Sequence, residues 1–230
     1  DMEEQYKILL NHLYKVEGEV LHRNSKEFDI TNAYGIYRHF HPKAEIFTYI
    51  DTIASSVTRA PSNKWTKEQI VAINKLIDKN KELDLSYRFY REYFKSLNIE
   101  QFPPSLVLSI VDCFTNTQVG TYKAIQEALN DCHKYGLFKH TPISKTILPN
   151  KDDILLVDGK FGNGGKAAMK DFVNRYKDSY EPSSWKDELI FKNCMLLYMK
   201  THYAELVLGN SIHTPNLRGW NHRMENAQHV

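Results

Sequence analysis

The chain has 230 residues and a mass of 26.9 kDa, with 42% hydrophobic and 25% charged residues and only 10 Gly and 8 Pro. That composition gives a globular protein able to bury its own core, and it excludes the collagenous, coiled-coil and disordered classes. Thirty Lys and Arg against 28 Asp and Glu leave a net charge of +2, too small a field to gather a polyanion, so nucleic acid is not an expected partner.

The mean hydropathy is -0.52, and the apolar runs, such as 106 to 111, fall far short of the roughly 20 residues that a membrane span needs. No span is expected. The chain opens at Asp1 on acidic and polar residues, so no secretory signal is visible. Cys113, Cys132 and Cys194 are too few and too scattered for a disulfide framework and read as buried small hydrophobes.

Helical periodicity dominates from the start. Tyr6, Leu9, Leu10, Leu13 and Val16 recur at three- and four-residue spacing and stop at Gly18, which predicts a first helix ending near Glu17. From 19 to 40 the sequence turns polar and β-tolerant around Asn32 and Gly35, as in a loop or small β-hairpin. Thr66 and Gln69 form a capping box ahead of Ile70, Ile73, Leu76 and Ile77. A second periodic stretch runs from Leu83 through Phe89, Tyr90, Tyr93 and Phe94 to Leu97, and Pro103 and Pro104 end it.

The run 106 to 114 is apolar almost all round except for Asp112, the pattern of a helix packed on every side. Tyr122, Ile125, Leu129 and Cys132 give another amphipathic helix, closed by Gly136. The stretch 137 to 153, with Pro142, Pro149 and Asn150, reads as a linker, which places a domain boundary near 150. Beyond it come a turn at Asp158 and Gly159, a helix around 167 to 176, a long helix from about 185 to 207, and a last one opening at Thr214 and Pro215. The expected organisation is a mainly α domain over 1–150 followed by a small helical domain over 151–230.

Several chemistries are absent from the sequence. Gly159 and Gly164 stand at the spacing of a phosphate-binding loop, but Gly165 occupies the position of its Lys. His39 and His41 lack further ligands at metal-site spacing, so no metal is expected. No G-x-S-x-G elbow occurs. What remains is a carboxylate, Glu17, at the end of the first helix, facing a loop that carries Asp29, Thr31, Asn32 and Tyr34. Glycoside hydrolysis needs a protonated carboxyl beside the leaving oxygen and a polar group that holds water across the sugar. A helix-terminal Glu opposite a Thr- and Asn-bearing loop can supply both, and a solvated helix end beside an ordinary loop has the same pattern.

Glu17-Gly18-Glu19-Val20 followed by Thr31-Asn32-Ala33-Tyr34-Gly35-Ile36 resembles the E-G-G-Y and T-N-Y-G-I signature of the glycoside hydrolase 108 family of endolysin-like N-acetylmuramidases. Tyr93-Phe94 is similar to that family's Tyr-Trp pair, and Asp112, Asn116, Gly120 and Gln126 match its D-x-x-x-N-x-G-x-G segment and the Gln after it. Asp158-Gly159-Lys160-Phe161-Gly162 resembles its D-G-x-x-G turn. Arg218-Gly219-Trp220-Asn221-His222-Arg223 resembles the ending of the peptidoglycan-binding domain often fused behind it. Glu19 and Val20 depart from the signature, Ala33 is an insertion, 24 to 28 replaces a Pro- and Gly-rich loop, and 37 to 80 has no place on the pattern.

The resemblance implies a lysozyme-like fold and cleavage of the β-1,4 bond between N-acetylmuramic acid and N-acetylglucosamine, without a cofactor. Glu17 would be the general acid, which needs burial at the lip of a cleft to keep its proton. Thr31 would orient water. Asp29 would polarise that water as general base or else cap its loop, with Glu27 a further acid in the same loop. Tyr34, Tyr93 and Asn116 would touch the sugar, as would Trp220, Asn221 and Arg223 at the other end of the chain, unless these residues serve packing. Asp112 and Gln126 would support the site from behind. The implied partner is the glycan strand of the bacterial cell wall, met by a monomer. Within the same resemblance stand a lytic transglycosylase, which needs no second carboxylate, and a wall-binding or phage-structural protein that has lost catalysis.

Overall fold

A computed structural model describes residues 1–24, 29–143, 147–177 and 183–210, and the single positions 219, 222 and 224. Eight α-helices and one two-stranded antiparallel sheet form the regular structure among them, so the chain is mainly α, as its periodicity predicts. No helix among the described residues is long and apolar enough to cross a membrane. The chain divides into two compact units, Asp1–Glu100 and Gln101–Val230.

In the first unit, α1 (Glu4–Glu17) buries Tyr6, Leu9 and Leu10 and stops because Gly18 adopts a positive φ of 72°, its N–H closing back on the Tyr14 carbonyl at 2.8 Å. Val16, at the end of the expected stripe, is 67% exposed, so the last turn carries its side chains outward. β1 (Leu21–Arg23) and β2 (Ile30–Asn32) make the hairpin. The stretch that the resemblance could not place is helical. α2 (Glu45–Ala54) buries Ile46, Phe47 and Ile50, and α3 (Lys67–Leu76) buries Ile70 and Ile73 behind the Thr66–Gln69 capping box. Between them Trp65 is 2% exposed, its indole N–H donating to the Ala60 carbonyl at 2.8 Å. α4 (Lys79–Tyr93), capped by Asp78, packs against both α1 and α2.

In the second unit, α5 (Val107–Asn116), α6 (Gln118–Lys134), α7 (Asn163–Lys177) and α8 (Ser183–Gly209) are arranged so that α6 packs on each of the other three. Gly136, with φ 77°, closes α6 as its position predicts. Asp112 is half-buried on α5, so that helix keeps one face outside the core. The cysteines are all free; Cys113 and Cys132 are buried, whereas Cys194 is intermediate and its thiol lies 3.3 Å from Asp131 Oδ2.

The compact units divide after Glu100, and the Pro-bearing stretch read as a linker from sequence lies within the second of them. Just past that stretch, Asn130 Oδ1 accepts the N–H groups of Ile154 and Leu155 at 3.0 and 2.9 Å and its Nδ2 donates to Leu155 O at 3.0 Å, so the backbone there is paired within the fold. One turn earlier on α6, Gln126 accepts the Gly159 N–H at 2.9 Å and donates to Asp158 Oδ1 at 3.1 Å. Two buried amides on one helix face therefore tie 154–160 to α6, and α8 packs along the same helix. The helix expected at Thr214 lies outside the described residues.

Candidate active site

The hairpin begins three residues after Gly18, which brings it back over the end of α1. Its register pairs Leu21 with Asn32, His22 with Thr31 and Arg23 with Ile30. Directly opposed residues of an antiparallel pair share a face, so Thr31, 5% exposed, stands on the face that carries His22. His22 Nε2 in turn lies 3.1 Å from Glu17 Oε2, with each side chain about a quarter exposed. The other carboxylate oxygen faces Gly35. A Cβ built on Gly35 would stand 3.3 Å from Glu17 Oε1 and 3.6 Å from the Tyr90 hydroxyl, and Gly35 has φ 77°. Glycine is needed there twice, for its backbone angle and for the space it leaves to the carboxylate.

The loop over Glu17 is locked from two sides. Asn32, fully buried, accepts the N–H groups of Tyr34 and Ile36 at 3.2 and 2.9 Å. From below, Glu82, Ser86 and Tyr90, four apart on α4, reach three successive residues of the loop. Glu82 Oε1 accepts the Ala33 N–H at 3.0 Å, Ser86 Oγ accepts Asn32 Nδ2 at 2.9 Å, and the Tyr90 hydroxyl donates to the Tyr34 carbonyl at 2.5 Å. Burial, and then the charge of Glu17, holds the Tyr90 phenol above its ordinary range.

Burial lifts the Glu82 carboxyl from 4.5 to about 7. Between those values the folded chain keeps a proton that the unfolded chain has lost, so stability falls as pH rises through that window and is level above it. The expected loss is about 3 kcal/mol. Glu82→Gln should flatten this slope in urea unfolding compared at about pH 5 and about pH 8, and an unchanged slope would assign it to another group.

The remaining expected residues scatter. Asp29 Oδ1 accepts the Ile30 N–H at 2.8 Å and the Ser62 hydroxyl at 2.7 Å, the bonds of a loop cap. It lines a hollow with Arg38 and Asp51, which form a bidentate pair at 2.7 and 2.6 Å. The Tyr34 ring, half-buried, tilts against Tyr14 with centroids 5.5 Å apart. Tyr93, 49% exposed, stacks on Phe89 one turn back and meets the His41 ring edge-on, whereas its neighbour Phe94 is buried. Asp112, Asn116 and Gln126 belong to the second unit. There Asn116 Nδ2 donates to the Asp112 carbonyl at 3.0 Å, and Gln126 holds the 158–160 turn. Glu27, Trp220, Asn221 and Arg223 lie outside the described residues.

His22, Glu82, Ser86 and Tyr90 were not candidates from sequence. Of the α4 trio, Glu82 and Ser86 carry a usable signal, polar residues four apart on the buried face that also holds Leu85 and Tyr90. His22 carries none, because its approach to Glu17 follows from the hairpin register. Among the described residues no three His, Cys, Asp or Glu side chains converge as metal ligands would. No protein-family model matches the chain, and neither does any curated protein or any solved structure.

Proposed function

We propose that the chain is a lysozyme-like peptidoglycan hydrolase of the bacterial cell wall, cleaving the β-1,4 bond between N-acetylmuramic acid and N-acetylglucosamine with Glu17 as general acid. The observation that carries this reading is the carboxylate of Glu17 set between Gly35 and His22 under a locked loop, with Thr31 on the neighbouring strand. It agrees with the resemblance of 17–20 and 31–36 to the muramidase signature. Glu17 gives its proton to the glycosidic oxygen as the C1–O bond breaks. Water, oriented by the Thr31 hydroxyl, adds to C1 from the opposite face and releases its own proton to solvent, an inverting course. His22 fixes the direction of the Glu17 carboxyl. Tyr93 offers an exposed ring for stacking a sugar, and the partner is a glycan strand met by a single copy of the chain.

Asp29 is expected to contribute little to turnover, because its hydrogen bonds serve Ser62 and its own loop. Asp29→Asn should release muropeptides within about threefold of the parent rate while losing about 1 kcal/mol of stability. A hundredfold loss of rate at unchanged fold would restore it as general base. The same observation favours one alternative: with Glu17 acting without Asp29, a lytic transglycosylase fits, in which the C6 hydroxyl of muramic acid replaces water. Mass spectrometry of products released from purified peptidoglycan decides between them. Reducing muramic ends support hydrolysis, 1,6-anhydro ends support transglycosylation, and no release would leave a wall-binding protein.

A further inference from the structure

Between β1 and α3 runs a groove of about 710 Å3 that the glycan chemistry does not use. Its lining joins the buried Leu21, Trp65 and Ile70 to the more open Val20 and Val71. The two walls are tied together. Asn74 Nδ2 on α3 donates to the Leu21 carbonyl of β1 at 2.7 Å, and the Arg23 guanidinium donates to the Asn63 carbonyl at 2.9 Å. The groove also adjoins the candidate acid. His22 lines it and meets Glu17 Oε2 through Nε2 at 3.1 Å, and Glu19, another lining residue, donates its backbone N–H to the Glu17 carbonyl at 2.9 Å.

The lining decides what kind of occupant fits. Lys67, Ile70, Val71, Asn74 and Lys75 recur at three- and four-residue spacing, so one face of α3 is apolar at its centre and carries a lysine at each end. Eight helical rises separate those lysines by about 12 Å, the length of three or four extended residues. Among the lining residues, Arg23, Lys67 and Lys75 stand against the carboxylate of Glu19. The balance stays positive even with Glu17 counted through its contact to His22, so an acidic occupant is favoured. The large ring in the lining, Trp65, is 2% exposed and presents no open face on which a sugar could stack. The volume holds roughly two dozen groups the size of a water molecule, the bulk of a short peptide.

We propose that this groove binds the acidic peptide arm carried on the lactyl group of muramic acid, its aliphatic parts against Val20 and Val71 and its carboxylates at Lys67 and Lys75. The proposal rests on the hydrolase reading, in which the muramic residue gives up its C1–O bond beside Glu17 and its arm therefore leaves the sugar near His22. The chain then reads the peptide of the wall polymer as well as its glycan. Peptide binding itself does not use the Glu17 proton.

The test uses the full chain, with calorimetric titration of N-acetyl-L-Ala-γ-D-Glu-meso-diaminopimelate and turnover of soluble wall glycan with and without its peptide arms. The peptide should bind saturably to the parent and to Glu17→Gln alike, and its form with every carboxylate amidated should bind at least tenfold more weakly. Lys67→Glu and Lys75→Glu lie at exposed positions at opposite ends of α3, where their effects on the helix dipole offset, so the double variant should melt with the parent. It should bind the peptide at least tenfold more weakly and raise KM tenfold on peptide-bearing glycan, with kcat within twofold and turnover of peptide-free glycan unchanged. The double Lys→Arg variant should keep the parent's affinity. Saturable peptide binding by a parent chain that cleaves no glycan would overturn the hydrolase reading and leave the groove a peptide site. No saturation in the millimolar range, full affinity in the double Glu variant, or one KM for both glycans would overturn the groove while cleavage by Glu17 still stood.

Discussion

Glu17→Gln is expected to lower muropeptide release by roughly 10²–10⁴-fold, the span that general-acid catalysis supplies, while leaving the melting temperature within a few degrees of the parent. The amide keeps the shape of the carboxyl, so it fits the same space against Gly35, where Glu17 Oε1 lies 3.3 Å from a glycine Cβ position. His22 can still meet it at the 3.1 Å contact, because an amide oxygen accepts as a carboxylate oxygen does. What the variant lacks is a proton to give. His22→Ala separates positioning from proton donation. It should slow release less than Glu17→Gln does, because it frees the direction of the carboxyl while leaving the proton to give. Retention of more than a few per cent of activity in Glu17→Gln would remove Glu17 from the chemistry and with it the hydrolase reading.

Asn32→Ala should give a large loss of stability, about 3–4 kcal/mol in urea unfolding. The side chain is fully buried and makes three hydrogen bonds, two from the N–H groups of Tyr34 and Ile36 and one to Ser86 Oγ. Alanine leaves two backbone donors and a hydroxyl without that partner, and a donor stranded in the interior carries its whole desolvation cost. Ser86→Ala removes only one of these bonds and should cost about 1 kcal/mol. A cost near 1 kcal/mol for both would mean that the loop relaxes and finds water, and the clamp would then be no more than a surface turn.

These two residues stand differently with respect to sequence. Glu17 was a candidate from the start, because a helix that ends at a glycine displays its last carboxylate and because 17–20 and 31–36 resemble a muramidase signature. Asn32 belongs to the same motif, yet its role as the loop's internal brace depends on Ser86, 54 positions away. Asp29 was legible as an acid near the site and as a loop cap. Sequence left both open, and the bond to Ser62, 33 positions away, favours the cap.

Local rules needing only a few consecutive residues were enough for most of the helices, though not for α2 (Glu45–Ala54) or the end of α4. Periodicity placed α1 and α4, the Thr66–Gln69 pair opened α3, and Gly18 and Gly136 closed α1 and α6 through positive φ angles that other residues resist. The same rules read 137–153 as a linker, because Pro142, Pro149 and Asn150 have that composition, whereas the compact units divide after Glu100. Just past that stretch, Gln126 and Asn130, buried at 3% and 2% exposure, capture the backbone of 154–160. Their neighbours in space cannot be inferred from their neighbours in sequence. The sequence by itself thus determined most of the helical segments, α2 excepted, and that Glu17 ends the first of them. Only the tertiary structure decided that Glu82, Ser86 and Tyr90 hold the loop over it, that His22 meets it, and that β1 and α3 close a groove beside it. Helix formation is governed by contacts three or four residues apart, whereas each of these placements depends on hydrogen bonds or burial set by distant parts of the chain.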